Sequence, residues 1–168
     1  MDSISAATIN TLTAVPQGDL RLLNDPAARR LLGSTEMAHL AYAWRNGTPR
    51  CTAIWFHWNG EQLVIVSPAS APKTATIETG TAVAATIDDA QFPYKSLNLR
   101  GTAWVDHVRG VAAEYRHAAA RYLGEEAGAA WCEQLPADLL MTRISVEPNW
   151  VGLIDLTDNR RLPSALAG

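Results

Sequence analysis

Lysine is almost missing from this chain. It occurs only at Lys73 and Lys95, among 14 basic residues, so a lysine here marks a position with a specific need. Cysteine is equally sparse. Cys51 and Cys132 lie far apart and form no pair motif, which excludes a disulfide framework and a thiolate metal site and points to a reducing, cytoplasmic home. No apolar run approaches the ~18–20 residues that span a bilayer, so no membrane partner is expected. Met1–Thr13 carries neither the positive charge nor the apolar stretch of a signal peptide. There is no P-loop, no Gly-x-Gly-x-x-Gly turn and no Gly-x-Ser-x-Gly elbow. His39, His57, His107 and His117 show no His-x-x-x-His spacing and no neighbouring cysteine, so no metal is expected. A net charge of −3 with scattered bases argues against a nucleic-acid partner.

What is present suits one globular domain. The chain has 168 residues, 48% of them hydrophobic. A domain of this size buries roughly 68–70% of its unfolded surface, enough to fold without disulfide or metal. Residues 1–18 are small, polar and without period, and read as a flexible arm. Residues 19–156 form the domain, and 157–168 read as a loose polar tail. Asn24-Asp25-Pro26 supplies a cap and a first-turn proline for a short helix over Ala27–Leu32, stopped at Gly33.

Strand patterns follow. Met37–Arg45, Thr48–Trp58 and Glu61–Ser67 are separated by Asn46-Gly47 and Asn59-Gly60. Asn-Gly between strand-like runs predicts two-residue hairpin turns, hence a three-stranded antiparallel meander. That register sets Ala43 against Arg50, Ala41 against Thr52, Ile54 against Ile65 and Thr52 against Ser67, so Arg50, Thr52 and Ser67 share one face. Tyr42, Ala53, Trp55, Val64 and Val66 fall on the other. Both faces are largely apolar, which predicts a barrel covered outside by helices or a second subunit. Lys73–Thr79 reads as a helical turn or two. Thr81–Ile87 and Lys95–Asp106 read as strands, with Gly101 at a bulge or bend. Arg109–Leu123 and Glu125–Leu135 read as helices. Leu139–Val146 and Trp150–Leu156 read as two closing strands. The fold class is mainly β with flanking helices, an antiparallel barrel.

Several groups could carry chemistry. Lys73 follows a loop of small residues, with Ser70, Thr74 and Thr76 nearby and Arg50, Thr52 and Ser67 on one face beside it. Cations and free N–H groups suit a phosphate; a surface lysine beside ordinary strand hydroxyls is the competing reading. Trp44, Trp55, Phe56, Trp58, Trp104, Trp131 and Trp150 could stack on a flat ring or simply fill core and subunit contacts. His57, in Trp-Phe-His-Trp, reads as a half-buried, hydrogen-bonded strand histidine, with a haem ligand or proton donor as the alternatives. Asp88-Asp89 reads as turn chemistry. Arg109, Arg116 and Arg121 beside Glu114 read as a solvated helix face.

The run His39–Trp44, Arg50–Trp58, Leu63–Ser67, Lys73–Ile77, Val83–Asp88 and Pro93–Gly101 resembles the pyridoxamine 5′-phosphate oxidase-like, FMN-binding split-barrel family, most closely its short actinobacterial members that bind FMN or F420. The resemblance implies a split barrel that dimerises, with two cofactor sites at the interface. It assigns the strand along the flavin to Arg50, Thr52, Ala53, Ile54 and Trp55, and the end of the next strand to Val66 and Ser67. Lys73 matches the phosphate-binding lysine, followed by Thr74, while the arginine before it is replaced by Pro72. Lys95 and Ser96 match the segment reaching in from the partner, and Trp150 the late aromatic. The implied function is hydride transfer between FMN, or alternatively F420, and a small organic substrate bound near Trp55 and His57. Haem is not the expected cofactor. The basic C-terminal motif of vitamin B6 oxidases has no counterpart in Asp158–Leu162. A non-catalytic flavin carrier, a cofactor-free barrel module and a haem-binding relative using His57 are the alternative readings.

Overall fold

The computed structural model describes residues 15–157. Seven strands form one antiparallel sheet: β1 (Ala38–Ala43), β2 (Pro49–Ile54), β3 (His57–Trp58), β4 (Leu63–Pro68), β5 (Ala82–Asp89), β6 (Lys95–Arg109) and β7 (Leu140–Asp155). The helices are α1 (Pro26–Leu32), α2 (Ala113–Leu123) and α3 (Glu125–Glu133), with 3₁₀ turns at Leu20–Asn24 and Pro72–Ala75. The strand order is β2-β1-β5-β6-β7-β4-β3. Its two ends, β2 and β3, are joined by only Trp55 and Phe56, so the sheet must curl on itself to bring them together. Among the described residues no helix is long and apolar enough to cross a membrane.

The expected meander is therefore corrected. β1 and β2 pair, and β3 and β4 pair, but β2 does not pair with β4. The run Thr48–Trp58 breaks at Trp55-Phe56, and β4 pairs instead with β7, setting Ile65 against Ile144 and Ser67 against Thr142. The register also shifts. Ala43 opposes Pro49, Tyr42 opposes Arg50 and Leu40 opposes Thr52. Only Gly47 of the first Asn-Gly pair has a positive φ, +81°. Its N–H donates to the Trp44 carbonyl at 2.8 Å, and the Trp44 N–H donates to Thr48. This is a three-residue turn with a glycine bulge, one residue longer than the expected type I′ turn. Odd shifts exchange faces, so Tyr42 shares the face of Arg50 and Thr52 and packs against the core. At the second turn Asn59 Oδ1 accepts from the N–H groups of Glu61 and Gln62, and Trp58 opposes Leu63 rather than Glu61.

Alternation decides what fills the barrel. Leu40, Leu63, Ile65, Ile87, Leu97, Leu99, Ile144 and Leu153 are all buried in one cluster. The opposite face of β4 buries Val64 and Val66 against Ala112 and Met141, at the start of α2. The other face of β1, β2 and β5 carries His39, Ala41, Ala43, Cys51, Ala53 and Ala84, exposed or half-buried, and no helix of the described residues covers it.

Residues 140–155 form one strand, not two, although Pro148 lies within it. Proline removes a ladder donor, and sheets tolerate it at bulges. Gly101 opposes Pro148 at such a bulge, where the β6–β7 register shifts. A Cβ on Gly101 would lie 2.2 Å from the Glu147 carbonyl oxygen. Gly101→Ala should therefore cost about 1–3 kcal/mol, read as a lower urea midpoint with unchanged slope. An unchanged midpoint would mean that the bulge relaxes freely.

The expected helix over 73–79 shortens to Pro72–Ala75, and the helix expected from Arg109 begins at Ala113 because β6 runs on through Arg109. Val15–Gly18 lie against β7: Gly18 N–H donates to Val151, and the Gln17 amide exchanges two hydrogen bonds with Leu153. The rest of the expected arm, 1–14, and of the expected tail, 158–168, lies outside the described residues.

Candidate cofactor site

Lys73, Arg50 and Arg100 are among the cations that form no ion pair with a carboxylate of the described residues. Lys73, in the 3₁₀ turn, is half-buried and makes no ion pair, and burial alone pushes its pKa down. Arg50, on β2, lies 5.1 Å over the Trp44 ring. Arg100, on β6, lies 4.0 Å over Trp150. Arg50 and Arg100 line a groove of about 430 Å³ together with Tyr42, Val83, Gly101 and Asn149. Lys73 belongs to the neighbouring turn. An Arg45 guanidinium hydrogen bond to the Ala75 carbonyl ties the β1–β2 hairpin to that turn, so Arg50 and Lys73 occupy the same end of the barrel. A half-buried cation is ordinarily paired, and Lys73 is not; with the exposed guanidinium groups of Arg50 and Arg100 it offers a donor set suited to a phosphate.

The other expected residues divide. Thr52 is half-buried on β2, and Ile54 packs against the core. Ala53 is exposed on the opposite face. Ser67 is buried, but on β4 beside Thr142 rather than beside Thr52. The expected adjacency of Arg50, Thr52 and Ser67 is thus lost, because β2 and β4 pair with different strands. Val66 is buried under Ala112 and Met141. Trp55 stacks on Tyr122 of α2 with centroids 5.0 Å apart and planes 6° apart, so that face of its ring is already used. The Thr74 hydroxyl closes its own turn onto the Ala69 and Ala71 carbonyls at 2.8 and 2.6 Å.

Lys95 binds Thr157 Oγ1 at 2.7 Å and pairs with Asp155 at 3.7 Å. Its ammonium ties the strand ends together. Ser96 accepts from the Asn98 amide at 3.2 Å. Trp150 sits on β7 directly opposite Arg100. Sequence reasoning missed Tyr42, Arg100 and Asn149 as groove residues, because the expected register put Tyr42 on the face opposite Arg50.

It also misread α2. Arg121 is half-buried, not solvated. It donates to the carbonyls of Leu32 (3.3 Å) and Phe56 and lies 4.4 Å over the Phe56 ring. Glu114 binds Arg143 Nε at 2.8 Å. His57 is half-buried as expected, but it makes no hydrogen bond to any described residue, and its ring lies 4.9 Å from that of His117. Burial, with help from His117 and Arg121, holds its pKa below the usual histidine value against the pull of Glu114. The signal was in the sequence: His117 and Arg121 stand four residues apart, one above the other on a helix.

No family model and no curated protein matches the chain. Solved structures do. An F420 reductase is 30% identical with a TM-score of 0.56, the match covering 72% of this chain and 92% of that one. HutZ, the heme storage protein of Vibrio cholerae, is 18% identical with a TM-score of 0.52, over 78% of this chain and 93% of that one. The FAD and heme binding protein of Mycobacterium smegmatis is 20% identical with a TM-score of 0.50, over 74% and 67%. The last two establish the fold alone. With the first, and with the curled antiparallel sheet and its flanking helices, they show that this chain belongs to the pyridoxamine 5′-phosphate oxidase-like split-barrel family.

Proposed function

We propose that the protein is an oxidoreductase that binds F420 or FMN and passes hydride between that cofactor and a small organic substrate. The observation that carries this reading is the 30% identity to an F420 reductase along 92% of that chain, which supports the deazaflavin as the first cofactor to test. The residues present fit such a group. Unpaired Lys73 and Arg50 supply charge-assisted donors for its phosphate. Thr52, Ala53 and Ile54 of β2, with Val66 and Ser67 of β4, offer backbone along its length. Thr74 keeps the lysine turn in shape rather than donating to the ligand.

The bound cofactor supplies the hydride chemistry, and the chain's own task is to grip the tail, orient the ring and exclude water. The uncovered small-residue face of β1, β2 and β5 suits a second copy of the chain. In the dimer Ser96, Trp150 and the backbone at Lys95 would complete the site, while the Lys95 ammonium stays with Asp155. An exposed thiol at Cys51 and no disulfide suit a reducing cytoplasm.

The test is equilibrium titration of the purified chain with F420, FMN and haem, followed by sedimentation at falling protein concentration. Saturable binding of F420 or FMN, released as the dimer dissociates, is expected. Haem binding alone, or no binding of either flavin, would overturn the reading. A stable monomer that retains cofactor would overturn the interface placement.

A further inference from the structure

A second concavity, of about 350 Å³, lies between α1, β3 and α2 and shares no lining residue with the Arg50–Arg100 groove. Arg29, His57, His117 and Arg121 line it, with Leu32 and Trp58 as apolar walls. No carboxylate of the described residues lines it. Its volume lies within the ~300–1,000 Å³ range of small-ligand pockets.

The charge here is not balanced from within. Arg121 reaches two backbone carbonyls and two ring faces, those of Phe56 and Tyr122, but no carboxylate among the described residues. Its Nε is buried and has no hydrogen-bond partner. An orphaned buried donor on a guanidinium is costly, and it leaves the charge of Arg121 uncompensated at the wall of the pocket. Arg29 spends one N–H on the Asn24 side chain at 3.0 Å and makes no ion pair. His57 is half-buried and has no hydrogen bond within the described chain. The one acid near His57 is Glu114 of α2, and its carboxylate already binds Arg143 of β7. The pocket thus offers donors from α1, β3 and α2 and, among the described residues, no anionic side chain.

We propose that this pocket binds a small oxyanion, a phosphate monoester or a carboxylate, separately from the cofactor site. The two guanidinium groups supply permanent charge, and the two imidazoles add donors. Protonation of His57 and binding are linked, because an anion stabilises the charged His57 imidazole and that charge stabilises the anion. The groups that set this balance around His57 are His117, Arg121 and Glu114 on α2, Arg29 on α1, and Arg143 on β7 through Glu114. Binding tightens as pH falls.

The experiment follows the imidazole ¹H–¹⁵N resonances of the intact chain during titration with inorganic phosphate and, separately, succinate, at constant ionic strength. Saturable shifts of His57 and His117 are expected, with affinity about tenfold higher near pH 6 than near pH 8. The more tightly bound probe identifies the oxyanion class. Arg29→Gln and His117→Gln, both at exposed positions, should each weaken binding about tenfold. Lys73→Ala, in the cofactor cradle, should leave it unchanged. Absence of saturable shifts, or binding lost in Lys73→Ala but intact in the other two variants, would overturn the proposal and leave the cofactor reading untouched.

Discussion

Phe56→Ala should lower the stability of the fold by about 3–5 kcal/mol. Phe56 is 1% exposed and sits at the two-residue junction where β2 ends and β3 begins, the point at which the sheet closes. Its ring lies under the Arg121 guanidinium at 4.4 Å and edge-on to Tyr122 at 6.4 Å. Removing it deletes apolar burial and a cation–π contact and leaves a cavity beneath α2. Domains are stable by only about 5–15 kcal/mol, so the loss is a large fraction of the total. Urea unfolding followed by tryptophan fluorescence measures it. A cost below about 1 kcal/mol would mean that the junction is not a keystone of the barrel, since truncating a well-packed core phenylalanine costs more.

The second large effect is on binding. Lys73→Ala should weaken cofactor affinity about 10- to 150-fold, the equivalent of losing one charged hydrogen bond of about 1.5–3 kcal/mol. The fold should not suffer. The ammonium is half-buried, unpaired and held below its usual pKa by desolvation, so its removal relieves a penalty rather than breaking a contact. Affinity loss at unchanged stability is therefore the signature of a binding lysine. Equal cofactor affinity in both proteins would show a merely superficial side chain.

Much of the fold was legible because burial writes a period of two into strands. The runs at Met37–Arg45, Glu61–Ser67, Thr81–Ile87 and Lys95–Asp106 all fall on real strands. Gly101 was readable as a bulge because a glycine inside a strand has few other uses. The first helix was readable from Asp25, whose carboxylate does cap Ala27 N–H at 2.9 Å.

The failures share a cause. An Asn-Gly pair marks a turn but does not say how many residues close it, and one extra residue brought Tyr42 onto the face of Arg50 and Thr52. The break at Trp55-Phe56 lies inside an unbroken aromatic and β-branched run. What breaks it is distant: β4 is claimed by β7, a pairing of Ile65 with Ile144 that no local pattern announces. Pro148 looked like a turn because the glycine that accommodates it lies 47 positions earlier, across the sheet.

The candidate site was legible in part for the same reason. Lys73 stood out by its rarity and its place after a loop of small residues, and the structure finds it half-buried and unpaired. Arg100 and Asn149 were invisible because their place beside Arg50 depends on the pairing of β5, β6 and β7. Lys95, which the resemblance matches to a segment reaching the flavin from the partner subunit, has its own partners, Asp155 and Thr157, 60 and 62 residues away in sequence.

Crystallography of the chain saturated with F420 addresses the central claim most directly. The account predicts phosphate density within hydrogen-bond reach of Lys73 Nζ and the Arg50 guanidinium, with the ring system lying along β2 toward a second copy of the chain. Density confined to the pocket of His57 and Arg121, or to any surface that neither Lys73 nor Arg50 reaches, would contradict it.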